Sequence, residues 1–205
     1  MKLTKMLADI RLRMPNPFSD ADIIGWLNST IRETYKTLAM REGYTFTGVE
    51  GRTLYPLPHE VRADLISAVL VDGREYTARR IGDAARNGTW YKAAEGFLGI
   101  YPAAKSGAPI TIFYFMRPPQ LLTEAEAEEV GIIYADQEIA LDEDYAELIK
   151  CGVFVIMAAA REDVILANNY KLDYNMLLSR ARQERFEKDG KYPKTRMVEQ
   201  KRRHL

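Results

Sequence analysis

Apolar residues recur every three or four positions at the start of the chain. Leu3, Met6, Leu7 and Ile10 fall at i, i+3, i+4 and i+7, the period of a helix with one buried stripe, and Pro15-Asn16-Pro17 stops it. Ser19 precedes Asp20, Ala21 and Asp22, where its hydroxyl and the early carboxylates can satisfy the free amides of a new helix start. The stripe Ile24, Leu27, Ile31, Tyr35 and Leu38 carries that second helix to an end near Gly43. From Tyr44 to Met116 the period shortens. Runs of Thr, Tyr, Val, Ile and Phe broken by Gly and Pro predict a compact antiparallel sheet, with strands at 44–49, 52–57, 64–71, 74–78, 89–93, 97–101 and 109–116. Glu50-Gly51, Asp72-Gly73 and Glu95-Gly96 are the hairpin corners, because glycine tolerates positive φ there. Residues 81–87 are read as one helical turn.

The helical period returns after Asp142-Glu143-Asp144, whose carboxylates suit a helix start. Tyr145, Leu148, Ile149, Val155, Ile156 and Ala159 mark a mostly buried helix. After a break at Arg161 to Asp163, the stripe Leu166, Tyr170, Tyr174, Leu177 and Ala181 marks a second long one, packed on the first as an αα-hairpin. The fold class is therefore α+β. Residues 1–43 and 141–189 form one helical part, 44–140 an inserted β-rich region, and 190–205 an extended basic tail.

Charge is balanced overall and uneven locally. Lys plus Arg and Asp plus Glu both total 29, so no global field draws the molecule to nucleic acid or to a membrane. Leu121 to Leu148, in contrast, holds ten carboxylates and no Lys or Arg, which predicts a solvated arm or a surface that meets a basic partner. The tail reverses the sign: Lys191, Lys194, Arg196, Lys201, Arg202 and Arg203 stand against Glu199 alone. With 47% hydrophobic residues the chain has ordinary globular composition. Its longest apolar stretch, Gly152 to Ala160, is too short to span a bilayer, and the N-terminus lacks the pattern of a signal peptide.

Candidate chemistry is sparse. Only His59, His204 and one thiol, Cys151, are available for nucleophilic or general-base work, and no triad can be assembled from them. A lone cysteine excludes a disulfide framework or a zinc cluster within one chain and fits a reducing compartment. No phosphate-cradling glycine pattern occurs, and no cofactor or metal is expected. Asp142, Glu143 and Asp144 lack the alternating ligands of a calcium loop, so helix-start carboxylates are the preferred reading. Phe113, Tyr114, Phe115 and Arg117 could imitate a base-stacking platform, with Arg79 and Arg80 on phosphates, but the alternation beside Ile110 and Ile112 favours strand packing.

Several phrases in this order, FSDADIIGWLNSTIRE, TLYPLPHEVR, VLVDGRE, FLGIYPA, TIFYFMRPPQL and ALDEDYAELI, followed by two long helices, resemble the head-to-tail adaptor, or connector, proteins of tailed bacteriophages. The resemblance covers residues 1 to about 189. It implies a helical part with an inserted β domain and a structural, non-enzymatic role. It also implies a ring of identical subunits, commonly twelve, docked on the portal protein. Such a ring offers a platform to a tail or nozzle protein, while double-stranded DNA passes through the centre. The setting implied is the virion's head-to-tail junction, assembled in the bacterial host cytoplasm, with no membrane partner.

Two surfaces carry these expectations. In the family the C-terminal segment commonly reaches the portal. The matching residues here are Lys191, Tyr192, Lys194, Arg196, Met197, Val198, Lys201, Arg202 and Arg203, with the apolar members as anchors and the cations as ion-pair partners. Glu124, Glu126, Glu128, Glu129, Asp136 and Glu138 form the acidic surface, which either faces a neighbouring subunit or lines the channel. The acidic stretch is longer than the linker typical of the family, and residues 131–134 and 137–139 are candidate short strands of an extra hairpin. The rival readings are a nucleic-acid-binding module using Arg79, Arg80 and the basic tail, and a small hydrolase around His59 and Glu60.

Overall fold

The computed structural model describes residues 1–59, 61–84, 86–94 and 96–191, with backbone only from 186 to 191. The chain divides into two compact units: Met1–Leu38 together with the chain from Arg117 onward, and Ala39–Met116.

The first unit is helical, with α1 (Leu3–Arg13), α2 (Asp20–Thr37), α3 (Glu124–Glu129), α4 (Ala146–Ala160) and α5 (Val164–Lys191). The expected stripe of α1, Leu3, Met6, Leu7 and Ile10, is buried, as is the stripe of α2. Ser19 caps α2 in a full capping box: its hydroxyl accepts from the Asp22 amide, and the Asp22 carboxylate accepts from the Ser19 amide. Helix α2 ends at Thr37 rather than near Gly43, and Ala39 takes φ 47° just past the cap. Strand pairing wins over helix extension here, because Arg41, Glu42 and Gly43 lie opposite Phe115, Tyr114 and Phe113.

Helix α4 is the most apolar of the helices and packs against α1, α2 and α5. Phe154 is fully buried, and its ring lies 4.9 Å from that of Tyr170 on α5. Val153 and Met157 are buried with it, whereas Ala159, expected inside, faces water. The reason is geometric: Ala158 and Met157 take the inward positions of the last turn, so Ala159 falls on the outer side. Gly152 permits the close approach of α2, since a Cβ there would sit 2.4 Å from Thr30 Cγ2. The α4–α5 turn is a Schellman motif, with Glu162 N–H donating to Ala159 O and Asp163 N–H to Ala158 O, each at 3.0 Å. Glu162 holds the left-handed position, φ 58°, that glycine usually fills. Asp163 then starts α5 by accepting from the Leu166 amide at 2.9 Å. None of the helices, among the described residues, is long and apolar enough to cross a membrane.

The second unit is a seven-stranded sheet: β1 (Arg41–Thr47), β2 (Leu54–Pro56), β3 (Ile66–Val71), β4 (Arg74–Ala78), β5 (Thr89–Ala94), β6 (Phe97–Tyr101) and β7 (Pro109–Phe115). Its order is β1-β7-β3-β4-β5-β6-β2. Asp72 (φ 50°) and Gly73 (φ 73°) make the tight β3–β4 hairpin turn. The sheet is antiparallel except between β4 and β5, which run parallel because residues 79–88 cross over rather than turn back. The helical turn expected at 81–87 is absent among the described residues. The segment is a bonded bend instead, with Gly82 at φ 99° and the Asp83 carboxylate accepting from the Arg80 amide at 3.0 Å. Of the Glu95-Gly96 corner, Glu95 lies outside the described residues and Gly96 has φ 74°.

The sheet encloses its own core, with Tyr55, Val69, Trp90, Leu98, Ile100, Ile110 and Ile112 at the centre. Strand β7 alternates cleanly: Ile110, Ile112 and Tyr114 point in, while Phe115 lies outside under the Arg41 guanidinium at 5.0 Å. Each fully buried Ile or Leu contributes roughly 1.5–3 kcal/mol, which is why the alternation pins the register.

The left-handed Glu162 generates a first prediction. Glu162→Gly removes the Cβ clash at that position and raises stability by about 0.5–1 kcal/mol, after the extra entropy of glycine in the unfolded chain is counted. Urea denaturation followed by helical circular dichroism checks it, and an unchanged or lower midpoint contradicts it.

Candidate assembly surfaces

The acidic stretch belongs to the helical unit and is held by two side-chain amides. Asn28 on α2 donates to Leu121 O and accepts from Leu121 N–H, both at 2.8 Å. Gln137 does the same for Leu122, at 2.9 and 2.7 Å. Leu121, Ala127, Ile139 and Leu141 are buried beneath. Between the clamps stands α3, opened by a Thr123–Glu126 capping box and closed by a Schellman turn, in which Gly131 (φ 72°) donates to Glu128 O and Ile132 to Ala127 O. The short strands expected at 131–134 and 137–139 do not form as a hairpin. Tyr134–Asp136 is a 3₁₀ turn, and Glu138 makes only an isolated bridge to Lys2. A Thr three residues before Glu126, followed later by Gly131, is a helix signal that outweighs the apolar pair Ile132-Ile133.

This geometry sorts the six acidic candidates. Glu126 serves its own helix cap, and Asp136 accepts from the Lys2 ammonium at 2.7 Å. Glu124 and Glu138 are exposed, each near an electrostatic neighbour: Glu124 acts on the Tyr134 hydroxyl and Glu138 on Lys2. Glu128 and Glu129 are exposed, and their side chains make no hydrogen bond or ion pair among the described residues. Beside these two, Val130, Ile132 and Ile133 are 62%, 48% and 67% exposed. The corner is thus an apolar knob edged by carboxylates and held at both ends by backbone bonds.

Helix α5 carries two faces. The expected stripe, Leu166, Tyr170, Tyr174, Leu177 and Ala181, is its covered side. On the other side Ile165, Leu172 and Met176 fall within about 40° of one another around the helix, and they are 78%, 65% and 66% exposed. Sequence reading missed this face, although its spacing of seven and then four is itself a helical repeat. Between α2, α4 and α5 lies an open groove of about 420 Å³, floored by Gly152, Val155 and Ile156.

Lys191 closes α5 by its backbone. Tyr192, Lys194, Arg196, Met197, Val198, Lys201, Arg202 and Arg203 lie outside the described residues, as do Glu199 and His204.

Some residues of the rival readings serve the fold locally. The Arg79 guanidinium stacks on the Tyr91 ring at 4.4 Å and donates to Asp83 O at 2.7 Å. Tyr114 is buried and donates to the Glu42 carboxylate at 2.8 Å. His59 borders a cavity of about 900 Å³, whose described lining holds no Ser, Thr or Cys and whose Arg62 is paired with Asp64 at 2.9 Å. Glu60 lies outside the described residues. Cys151 is buried, and that burial pushes its thiol above the ordinary range, away from the reactive thiolate.

Against known proteins, the family described as SU10 adaptor protein matches residues 1–196. The chain belongs to that family, the phage head-to-tail adaptors. No curated protein matches it. This adaptor family is structural rather than enzymatic, which makes the chain a component of the phage particle with portal and tail proteins as its neighbours. In an adaptor, surfaces take the place of an active site.

Electrostatics within the adaptor's helical unit predict an acid limit. The Asp22 carboxyl is held below its usual range by its bonds from Ser19, and Glu126 by its bonds from Thr123. Burial alone would raise the Glu147 carboxyl, but hydrogen bonds from Lys150 and Arg13, the latter at 2.6 Å, outweigh it and hold it low. The unfolded chain therefore binds these protons more readily. The stability they add is present above the unfolded values near pH ~4 and is lost as pH falls through the lower folded values. The urea midpoint of the helical transition falls from pH 6 to pH 3, and the fall is smaller in Glu147→Gln; a flat profile in the natural chain contradicts this.

Proposed function

We propose that this adaptor closes into a ring of identical subunits, commonly twelve, that seats on the portal protein and presents a platform to the tail or nozzle protein. The family membership over residues 1–196 is the observation that carries the reading. The exposed apolar faces of α5 and of the α3 corner support it, since contiguous apolar surface at helical spacing is what association surfaces require. Double-stranded DNA passes through the ring, assembly takes place in the bacterial host cytoplasm, and the mature location is the head-to-tail junction. No catalysis, cofactor or membrane is involved.

Portal docking is assigned to the segment Lys191, Tyr192, Lys194, Arg196, Met197, Val198, Lys201, Arg202 and Arg203. Its composition supports this, with six cations able to pair with carboxylates and three apolar side chains able to anchor in a groove. A short segment binds weakly alone, and presenting many copies on one ring raises its effective concentration.

Cryo-electron microscopy of the protein mixed with its portal tests this, comparing the full chain with one truncated after Asp189. The expected outcome is a symmetric ring seated on the portal, with seating lost or at least tenfold weaker after truncation. A chain that stays monomeric both alone and with the portal sinks the reading. DNA binding by the isolated chain that falls steeply with salt would put a nucleic-acid-binding module in its place.

A further inference from the structure

Helix α5 covers α4 with one side and leaves the other bare over a length no monomer needs. From Ile165 to Met176 the bare stripe runs about 16 Å along the axis. Arg161, in the turn that precedes α5, and Arg180 lie beyond its two ends; both are exposed, the Arg180 side chain at 78%. Arg180 pairs with Glu184 at 2.8 Å, an i,i+4 surface contact weak enough to exchange for another carboxylate.

The α3 corner has the opposite character on the same helical unit. Val130, Ile132 and Ile133 project outward, and Glu128 and Glu129 beside them have no ionic partner among the described residues. The capping box and the Schellman turn hold the corner's backbone in place, so little ordering entropy is lost on binding.

We propose that the bare face of α5 is covered, in the assembled ring, by the α3 corner of a second copy, apolar knob on apolar stripe and Glu128 or Glu129 on Arg180. This rests on the ring reading and deepens it. Neither surface complements itself. A two-fold contact centred on the α5 stripe would run the two helices antiparallel and set Arg180 near the Arg161 end of the other copy, cation towards cation, and one through the corner would set carboxylate on carboxylate. The pairing that satisfies both joins different surfaces of successive copies, the head-to-tail geometry that closes rings. A formal net charge of zero removes the long-range repulsion that would oppose such stacking of copies.

The test uses full-length chains, with oligomeric state measured by light scattering and by mass photometry, alone and on the portal. Three variants are made: Arg180→Glu, Glu128→Lys with Glu129→Lys, and Leu172→Asp. All these positions are exposed, so circular dichroism melts are expected to match the natural chain. Each variant alone is expected to raise the concentration needed for ring assembly at least tenfold. Mixing the Arg180→Glu chain with the double-Lys chain is expected to restore assembly, because each then offers the other a complementary contact; the Leu172→Asp chain is not rescued by either. Rings that persist undiminished in all three variants overturn the assigned surfaces while leaving the ring reading intact. Loss in the charge variants without recovery on mixing overturns the pairing of these two surfaces. A natural chain that forms no ring even on the portal overturns this inference together with the ring reading.

Discussion

Burial of α4 is the constraint on which the helical unit rests. A helix carrying Leu148, Ile149, Val153, Phe154 and Met157 has to be enclosed by more than one neighbour, and three other helices pack on it. The fit is close where Gly152 meets Thr30, and a side chain at that position would push α2 away. The position of α5 follows. It supplies the remaining cover through Tyr170, Tyr174 and Leu177, and it can do so with only one of its sides.

A helix of 28 residues fixed along one side presents its other side at a defined angle and spacing. That is a favourable base for an assembly surface, because rigid presentation lowers the cost of association. The α3 corner is built by another route. Two amide clamps from Asn28 and Gln137 fasten a stretch with few buried side chains of its own, so that a carboxylate-rich segment is ordered rather than solvated at random. Charge in this protein is therefore organised by fixed backbone, and the balanced totals conceal surfaces of opposite sign.

The β unit follows separate rules. Its core is complete within Ala39–Met116, and the bond from Met116 N–H to Met40 O, at 2.8 Å, draws the incoming and outgoing chain side by side. Arg79 on Tyr91 and Arg62 on Asp64 are cations that make local contacts on the sheet's surface.

Much was legible in the sequence because it is encoded locally. The stripe Leu3, Met6, Leu7, Ile10, the Ser19 cap, the Asp72-Gly73 corner and the alternation along 109–116 each depend on neighbours a few residues apart, which is the range over which helix and strand periods act. The family resemblance came from the order of such local phrases. Other features rest on residues far apart in the chain. Pairing of residues 41–43 with 113–115 ends α2 early, a crossover makes β4 and β5 parallel, and a 3₁₀ turn at Tyr134–Asp136, beside the Gln137 clamp on Leu122, stands where apolar residues had suggested a hairpin. The second face of α5 belongs to this group too. Ile165, Leu172 and Met176 are ordinary helix-period residues in the sequence, and only the packing of α4 decides which side of α5 is covered and which is left exposed.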